Sequence, residues 1–249
     1  MTNKTALVTG AGAGIGRACA LRLAQDGIAI GVLDLNLESC QAVVAEIEAE
    51  GGKAIALQAS IADRAQVTAA ADTLRAAFGP ITIVVNNAGI SNFIPFEELT
   101  DDDWDIMFEI NTKGTFIVTQ VVLPDMKAAS WGRIINISSS SAQTGSIEQV
   151  HYSASKGAVI SMTRSLAQAV GPYGITVNNI PPGAVMNTIM SEANKHRFKM
   201  PMETLTKMIP VGRTGVPEDI ANACAWLASE ASSYVTGQTI GVNGGRVVS

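Results

Sequence analysis

The chain has 249 residues, of which 47% are hydrophobic and 16% charged, and its formal net charge is −5. This length suits a single domain with one large core. The acidic balance argues against nucleic acid or an anionic membrane surface as a partner. No apolar run approaches the roughly 18 residues of a membrane span, and no secretory leader is visible, so we expect a cytoplasmic protein.

Strand-like and helical patterns alternate along nearly the whole chain. Apolar, β-branched runs predict strands at 5–9, 28–33, 53–58, 81–85, 133–137, 174–180 and 238–242. Helical periodicity predicts helices at 15–26, 36–50, 64–78, 101–128, 152–171 and 217–229. The alternation predicts an α/β fold with one Rossmann-type domain over residues 1–249. Its doubly wound parallel sheet has about seven strands and carries helices on both faces.

A glycine-rich turn joins the first predicted strand to the first helix. Its sequence is Gly10-Ala11-Gly12-Ala13-Gly14-Ile15-Gly16. Glycines here let the backbone approach a diphosphate, and the helix N-terminus attracts its charge. A tight connection without a ligand is the alternative, but the position between strand and helix favours a dinucleotide site.

Asp34 ends the second predicted strand, and its neighbours Leu33, Leu35 and Asn36 are uncharged. A carboxylate there can accept hydrogen bonds from both ribose hydroxyls of an adenosine, and it repels a 2′-phosphate. The pattern therefore predicts NAD(H) as the cofactor. Asp34 could also cap the helix that starts near Leu37, which is compatible with ribose binding.

Tyr152 and Lys156 are four residues apart on a predicted helix, and Ser139 lies upstream. Residues at this spacing share a helix face, so a lysine ammonium there favours the phenolate. A free phenol has a pKa of about 10, so ionisation near neutrality requires roughly 4 kcal/mol of stabilisation. An exposed lysine near a packed tyrosine is the alternative for this pair taken alone.

Taken together, these motifs resemble those of the short-chain dehydrogenase/reductase family over essentially the whole chain. The matching positions are Thr9, Gly10, Gly14 and Gly16, then Asn86-Asn87-Ala88-Gly89, Asn111, Ser139, Tyr152, Lys156 and Pro182-Gly183. The resemblance implies catalysis by Asn111, Ser139, Tyr152 and Lys156, with Asn111 anchoring a water molecule that joins Lys156 to solvent. It implies cofactor contacts by Gly10, Gly14, Ile15, Gly16, Asp34, Ile61, Asn87, Ala88, Gly89, Tyr152, Lys156, Pro182, Gly183 and Thr188.

The chain departs from the family pattern at several positions. Ser60 stands where an aspartate is common, which weakens an adenine contact. Asn187 occupies the place of a usual threonine, so either Asn187 or Thr188 holds the nicotinamide carboxamide. Pro181 and Asn243 also depart from the common residues.

Residues 185–209 interrupt the alternation and contain five methionines and a Lys/Arg cluster. They form either a lid over the substrate or an ordinary amphipathic helix pair. As a lid, their methionines suggest a mostly apolar substrate, and their basic residues allow one with a carboxylate. Relatives pair the helices at 101–128 and 152–171 between subunits, which implies a homotetramer, with a dimer as the alternative.

The cysteines and histidines give no metal-ligand spacing, so we predict no metal site. Cys19, Cys40 and Cys224 are expected to be buried thiols in a reducing compartment. His151, beside Tyr152, points either into the site or away from it.

The protein is predicted first to be an NAD(H)-dependent oxidoreductase. Its substrates would be small molecules, a secondary alcohol and the corresponding ketone, which it interconverts. One alternative is a 3-oxoacyl-[acyl-carrier-protein] reductase using NADPH, although this chain has Ser130 and Tyr173 where those enzymes carry arginines for the carrier. A non-catalytic dinucleotide sensor is the other alternative.

Overall fold

The computed structural model describes residues 4–186, 188 and 201–248, and the side chain of Met202 is outside that description. Its centre is a six-stranded, all-parallel sheet in the order β3-β2-β1-β4-β5-β6. The strands are β1 (Thr5–Thr9), β2 (Ala29–Asp34), β3 (Ala54–Gln58), β4 (Ile81–Asn86), β5 (Gly132–Ile137) and β6 (Ile175–Ile180).

Helices cover both faces of this sheet, as predicted for a doubly wound fold. They are α1 (Gly14–Gln25), α2 (Leu37–Ala49), α3 (Arg64–Phe78), α4 (Asp101–Phe108), α5 (Thr115–Ala129), α6 (Ser141–Thr144), α7 (Val150–Val170), α8 (Met202–Lys207) and α9 (Pro217–Ala228). Alternate residues of β1 enter two separate cores: Ala6 and Val8 pack with α1, α2 and α9, whereas Leu7 packs with α3, α5 and α7. The sheet is therefore buried on both sides, which explains its continuous apolar strands.

The strand order reverses between β1 and β4. The chain runs outward from β1 through β2 to β3, then returns to the other side of β1 for β4, β5 and β6. Open parallel sheets bind ligands at the carboxyl ends of the strands beside such a reversal. The ends of β1 and β4, at Thr9 and Asn86, therefore mark where a site is expected.

The seventh strand predicted at 238–242 is not formed. This segment lies beside β6 and pairs with it and the residues after it only at isolated parallel bridges, Asn179 with Thr239 and Pro182 with Val242. Side chains replace part of the ladder: the Val177 N–H donates to Thr236 Oγ1 at 3.0 Å, and the Gln238 N–H donates to Asn178 Oδ1 at 3.1 Å. Backbone pairing is therefore interrupted where the pattern predicted a continuous strand.

The single helix predicted at 101–128 is two helices separated by a π-helical turn, Glu109–Gly114. Gly114 fits closely here, because a Cβ on it would lie 2.7 Å from Ile61 Cδ1. Wide turns of this kind inside helices are frequent at functional sites. This one contains Asn111, a predicted catalytic residue.

Helices α1, α2, α3, α7 and α9 agree with the predicted bounds within a few residues, whereas α6 had no predicted counterpart and α8 lies in the segment 185–209. Within residues 4–186, 188 and 201–248, no helix is both long and apolar enough to cross a membrane. The three cysteines are free and buried, as expected.

Candidate active site

The glycine turn after β1 is held in a shape that leaves the start of α1 open. No side chain caps this helix N-terminus, so its first backbone N–H groups are available to an anion. Asn87 Nδ2 donates to the carbonyls of Thr9 and Gly10 at 3.0 and 3.1 Å. A Cβ on Gly16 would lie only 2.1 Å from the Gly10 oxygen, so the first turn of α1 requires glycine at position 16. These features fit the diphosphate of a dinucleotide.

Asp34 lies beside the glycine turn with its carboxylate fixed by two backbone groups. Gly12 N donates to Oδ2 at 3.1 Å and Asn36 N to Oδ1 at 3.3 Å. Asn36, rather than Asp34, caps α2 by accepting from Ser39 N at 3.0 Å, so the predicted capping role of Asp34 is wrong. Arg17, the basic residue of the first turns of α1, pairs with Glu46 instead. Asp34 is thus a half-buried carboxylate without an ion pair to any described residue.

Three predicted catalytic residues meet at one cavity of about 350 Å³. Ser139 follows β5, whereas Tyr152 and Lys156 lie one turn apart on α7. Ser139 lies close enough to Tyr152 to lower the pKa of its hydroxyl, and Lys156 Nζ donates to the Ile137 carbonyl at 3.1 Å. Tyr152 and Lys156 are 7% and 5% exposed, so the alternative of a solvated lysine beside a packed tyrosine does not describe this pair.

Burial controls the ionisation of both residues on α7. It raises the pKa of Tyr152, and the hydrogen bond from Ser139 opposes this rise. Burial also lowers the pKa of Lys156 to about 8. The protein without its cofactor therefore favours a neutral phenol, although Lys156 was expected to favour the phenolate.

Asn111 lies behind the cavity and is fully buried. Its Oδ1 accepts from Ile90 N at 2.8 Å, and its Nδ2 donates to the Ile90 carbonyl at 3.0 Å and to Ser155 Oγ at 3.1 Å. Its side chain thus fixes the segment after β4 to α7. A Cβ on Gly89 would lie 2.7 Å from Asn111 Oδ1 and 3.1 Å from Lys156 Nζ, so glycine is needed where these elements meet.

The structure brings most of the predicted cofactor residues to the same edge of the sheet. Those that line the cavity are Ile15, Asn87, Gly89, Tyr152, Lys156, Pro182, Gly183 and Thr188. Gly10, Gly14, Gly16, Asp34 and Ala88 lie at the glycine turn or next to it, outside the cavity lining. The Ile61 side chain packs in the core against Gly114 instead of lining the cavity.

The predicted lid is only partly within the described residues. Val185, Met186 and Leu205 line the cavity. Asn187 and residues 189–200 lie outside the described part of the chain, so the choice between Asn187 and Thr188 and the lid itself stay predictions.

His151 points away from the cavity. It is fully buried, and its Nε2 lies 2.5 Å from Asn92 Oδ1. Two further hydrogen bonds join the same segments: Gln149 Nε2 donates to Ser91 Oγ at 2.7 Å, and Ile94 N donates to the Glu148 carbonyl at 2.8 Å. With the His151 contact, they hold residues 91–94 against the start of α7. The residue is structural support for one wall of the cavity.

Several cavity residues were missed from the sequence, among them Ser91, Ser141 and Arg246. Ser91 and Ser141 follow the motifs around Gly89 and Ser139, so their proximity to those motifs was an available signal. Arg246 lies near the C-terminus and had no comparable signal, because a tertiary turn places it at the cavity.

Comparison with known proteins is consistent with this geometry. A family model described as enoyl-(acyl carrier protein) reductase matches residues 10–246. The 3-oxoacyl-[acyl-carrier-protein] reductase FabG of Thermotoga maritima is 38% identical over 100% of this chain and 99% of its own. The (2S)-[(R)-hydroxy(phenyl)methyl]succinyl-CoA dehydrogenase subunit BbsD of Thauera aromatica is 38% identical (98% and 96%), and the D-threitol dehydrogenase of Mycolicibacterium smegmatis is 37% identical (100% and 94%).

The chain belongs to the short-chain dehydrogenase/reductase family. It is an oxidoreductase of the class that acts on CH–OH groups or the corresponding ketones, and the family uses nicotinamide dinucleotide cofactors. Reductases named FabG are well represented among the relatives and reach 41% identity.

Proposed function

We propose that the protein interconverts a ketone and a secondary alcohol with NAD(H), and that Tyr152 exchanges the proton with the reacting oxygen. The observation that carries this proposal is the meeting of Ser139, Tyr152 and Lys156 at one cavity beside the open end of α1. A phenol and a hydroxyl in contact can both bond a single carbonyl oxygen.

Each of these side chains has a role that follows from its bonds. Ser139 Oγ accepts from the Ser141 N–H at 3.1 Å and lies 2.8 Å from Ser141 Oγ, so its own proton can be donated to the reacting oxygen. Lys156 is held by the Ile137 carbonyl at the side of α7 that carries Tyr152, where its charge stabilises a phenolate. Asn111 holds the surrounding elements together.

The residues at the sheet edge fit a nicotinamide dinucleotide, which when bound supplies the hydride chemistry. The uncapped start of α1 would hold its diphosphate, and Asp34 would accept hydrogen bonds from its adenosine ribose. A fixed carboxylate with no described cation paired to it disfavours a 2′-phosphate, and this favours NAD(H) over NADP(H).

The second candidate is a 3-oxoacyl-[acyl-carrier-protein] reductase that uses NADPH. The relatives named FabG give this candidate more support than they give an NAD(H)-dependent alcohol dehydrogenase. Lys127 Nζ lies 4.5 Å from the Tyr173 ring centroid, so one cation is present near a position where such reductases carry an arginine. Asp34 and the absence of arginine at 130 and 173 oppose it.

One experiment separates the candidates. Nicotinamide absorbance is followed with NADH or NADPH, and each cofactor is paired with a panel of small ketones and with acetoacetyl-acyl-carrier protein. Turnover of free ketones with NADH supports the first candidate, and turnover of the carrier-bound substrate with NADPH supports the second. If no pair is turned over although the cofactor binds, both fail and a dinucleotide sensor remains.

A further inference from the structure

The C-terminal turn, residues 242–247, forms part of the cavity wall. Arg246 and Val247 line the cavity that contains Tyr152 and Ser139. The turn is attached to the end of β6, because Val242 bridges to Pro182 and its carbonyl accepts from Gly183 N at 3.3 Å. The backbone of the turn is therefore attached to the sheet edge that carries the site, and the Arg246 side chain is exposed where it borders the cavity.

Asn243 gives this turn its shape. Its Oδ1 accepts from Gly245 N at 3.0 Å, and its Nδ2 donates to the Val247 carbonyl at 3.1 Å. Gly244 and Gly245 have φ angles of 67° and 85°, which glycine adopts without strain. An aspartate at 243 could not donate to Val247 and would add a negative charge three residues from Arg246. The neutral amide leaves the charge of Arg246 uncompensated by its own turn.

The cavity has a positive electrostatic character although the chain is acidic. Among the described residues that line it, the charged ones are Lys156 and Arg246, and none is an aspartate or glutamate. No described carboxylate forms an ion pair with Arg246. By contrast, five other arginines are paired with carboxylates: Arg17, Arg22, Arg75, Arg133 and Arg213.

The rest of the lining combines hydroxyl-bearing side chains with apolar ones, which include Ile15, Phe93, Val185 and Leu205. The serines and threonines are Ser91, Ser138, Ser139, Ser140, Ser141, Thr144, Ser146 and Thr188. The cavity volume of about 350 Å³ is at the low end for ligand sites, which run from roughly 300 to 1,000 Å³. The hydroxyl groups of the lining can bond a polar substrate, so the cavity does not require the mostly apolar substrate suggested by the methionines of 185–209.

We propose that Arg246 binds an anionic oxygen group of the substrate while the ketone or alcohol oxygen meets Ser139 and Tyr152. The inference rests on the proposed function and assigns its substrate class. Guanidinium groups bond carboxylates and phosphates by charge-assisted hydrogen bonds, often in pairs. The anionic group is the carboxylate of a small oxo acid or the phosphate of an acyl carrier.

The test compares acetoacetate with methyl acetoacetate, which lacks the charge. kcat/KM with NADH is measured for the unmodified enzyme, Arg246→Gln, Arg246→Lys and the control Lys53→Gln, which changes an exposed cation outside the cavity lining and outside the helices expected to pair subunits. If a carboxylate binds Arg246, Arg246→Gln lowers kcat/KM for the acid by about 10- to 100-fold, mainly through KM, and spares the ester. Arg246→Lys retains part of the activity, and Lys53→Gln changes kcat/KM for neither substrate.

A second substrate pair identifies a phosphate. Acetoacetyl-CoA and the N-acetylcysteamine thioester of the same acyl group differ in the phosphates of the carrier. A loss in Arg246→Gln confined to acetoacetyl-CoA assigns Arg246 to the carrier phosphate.

Equal losses on charged and neutral substrates, or no loss on any, would overturn the inference. So would a weaker NADH dissociation constant in Arg246→Gln, since that assigns the arginine to the cofactor. If the unmodified enzyme turns over neutral ketones and Arg246→Gln has the same selectivity between charged and neutral substrates, this inference alone is overturned. Absence of turnover by the unmodified enzyme overturns the proposed function as well.

Discussion

The charge of Asp34 should determine cofactor choice. Two unit charges 4 Å apart repel by about 4 kcal/mol at an effective dielectric of about 20. Asp34 is half-buried, so solvent screening reduces this, and we take about 1.4 kcal/mol as the lower bound, or tenfold in kcat/KM. We therefore expect NADH to be preferred over NADPH by at least tenfold, measured by steady-state kinetics with one ketone and both cofactors.

Substitution of Asp34 tests whether its charge is the cause. Asp34→Asn keeps the size of the side chain and removes its charge, so it should narrow the preference for NADH over NADPH. Asp34→Ala should narrow it too, and should lower the melting temperature because the bond from Gly12 N is lost. Glu38→Gln serves as the control, because it removes an exposed negative charge from the nearby first turn of α2. Equal use of both cofactors by the unmodified enzyme would refute the argument.

Other predictions concern the proton carrier, the glycine turn and assembly. Tyr152→Phe should lower kcat by about 10²- to 10⁴-fold while sparing NADH affinity, and near-normal turnover would mean that another group carries the proton. Gly16→Ala should lower the melting temperature and NADH affinity, because its Cβ would lie 2.1 Å from the Gly10 oxygen. Light scattering should show a homotetramer, and a monomer at micromolar concentration would contradict the proposed pairing of subunits.

The sequence predicted elements whose partners are mostly local or periodic. β1, the glycine turn and α1 follow from apolar runs and glycine spacing, and the spacing of Tyr152 and Lys156 follows from the helix period. The features that were missed depend on distant side chains. Asn178 and Thr236 interrupt the seventh strand, and Asn111 lies in the π-helical turn and binds the segment after β4. No pattern along the chain encodes those contacts.

The ionisation of Tyr152 shows why the site cannot be understood from the Tyr152–Lys156 spacing alone. Burial raises the pKa of the phenol and lowers the pKa of Lys156 to about 8, so the protein disfavours each charge separately. The phenolate becomes favourable only when positive charge accompanies it in the cavity. In the cofactor-free enzyme, tyrosinate absorbance that is absent from Tyr152→Phe should therefore appear only above the ordinary phenol pKa of about 10. With NAD⁺ bound, the positive nicotinamide ring should move the onset of this tyrosinate absorbance to lower pH. If NAD⁺ leaves the titration unchanged, the charge of the cofactor does not control the ionisation of Tyr152.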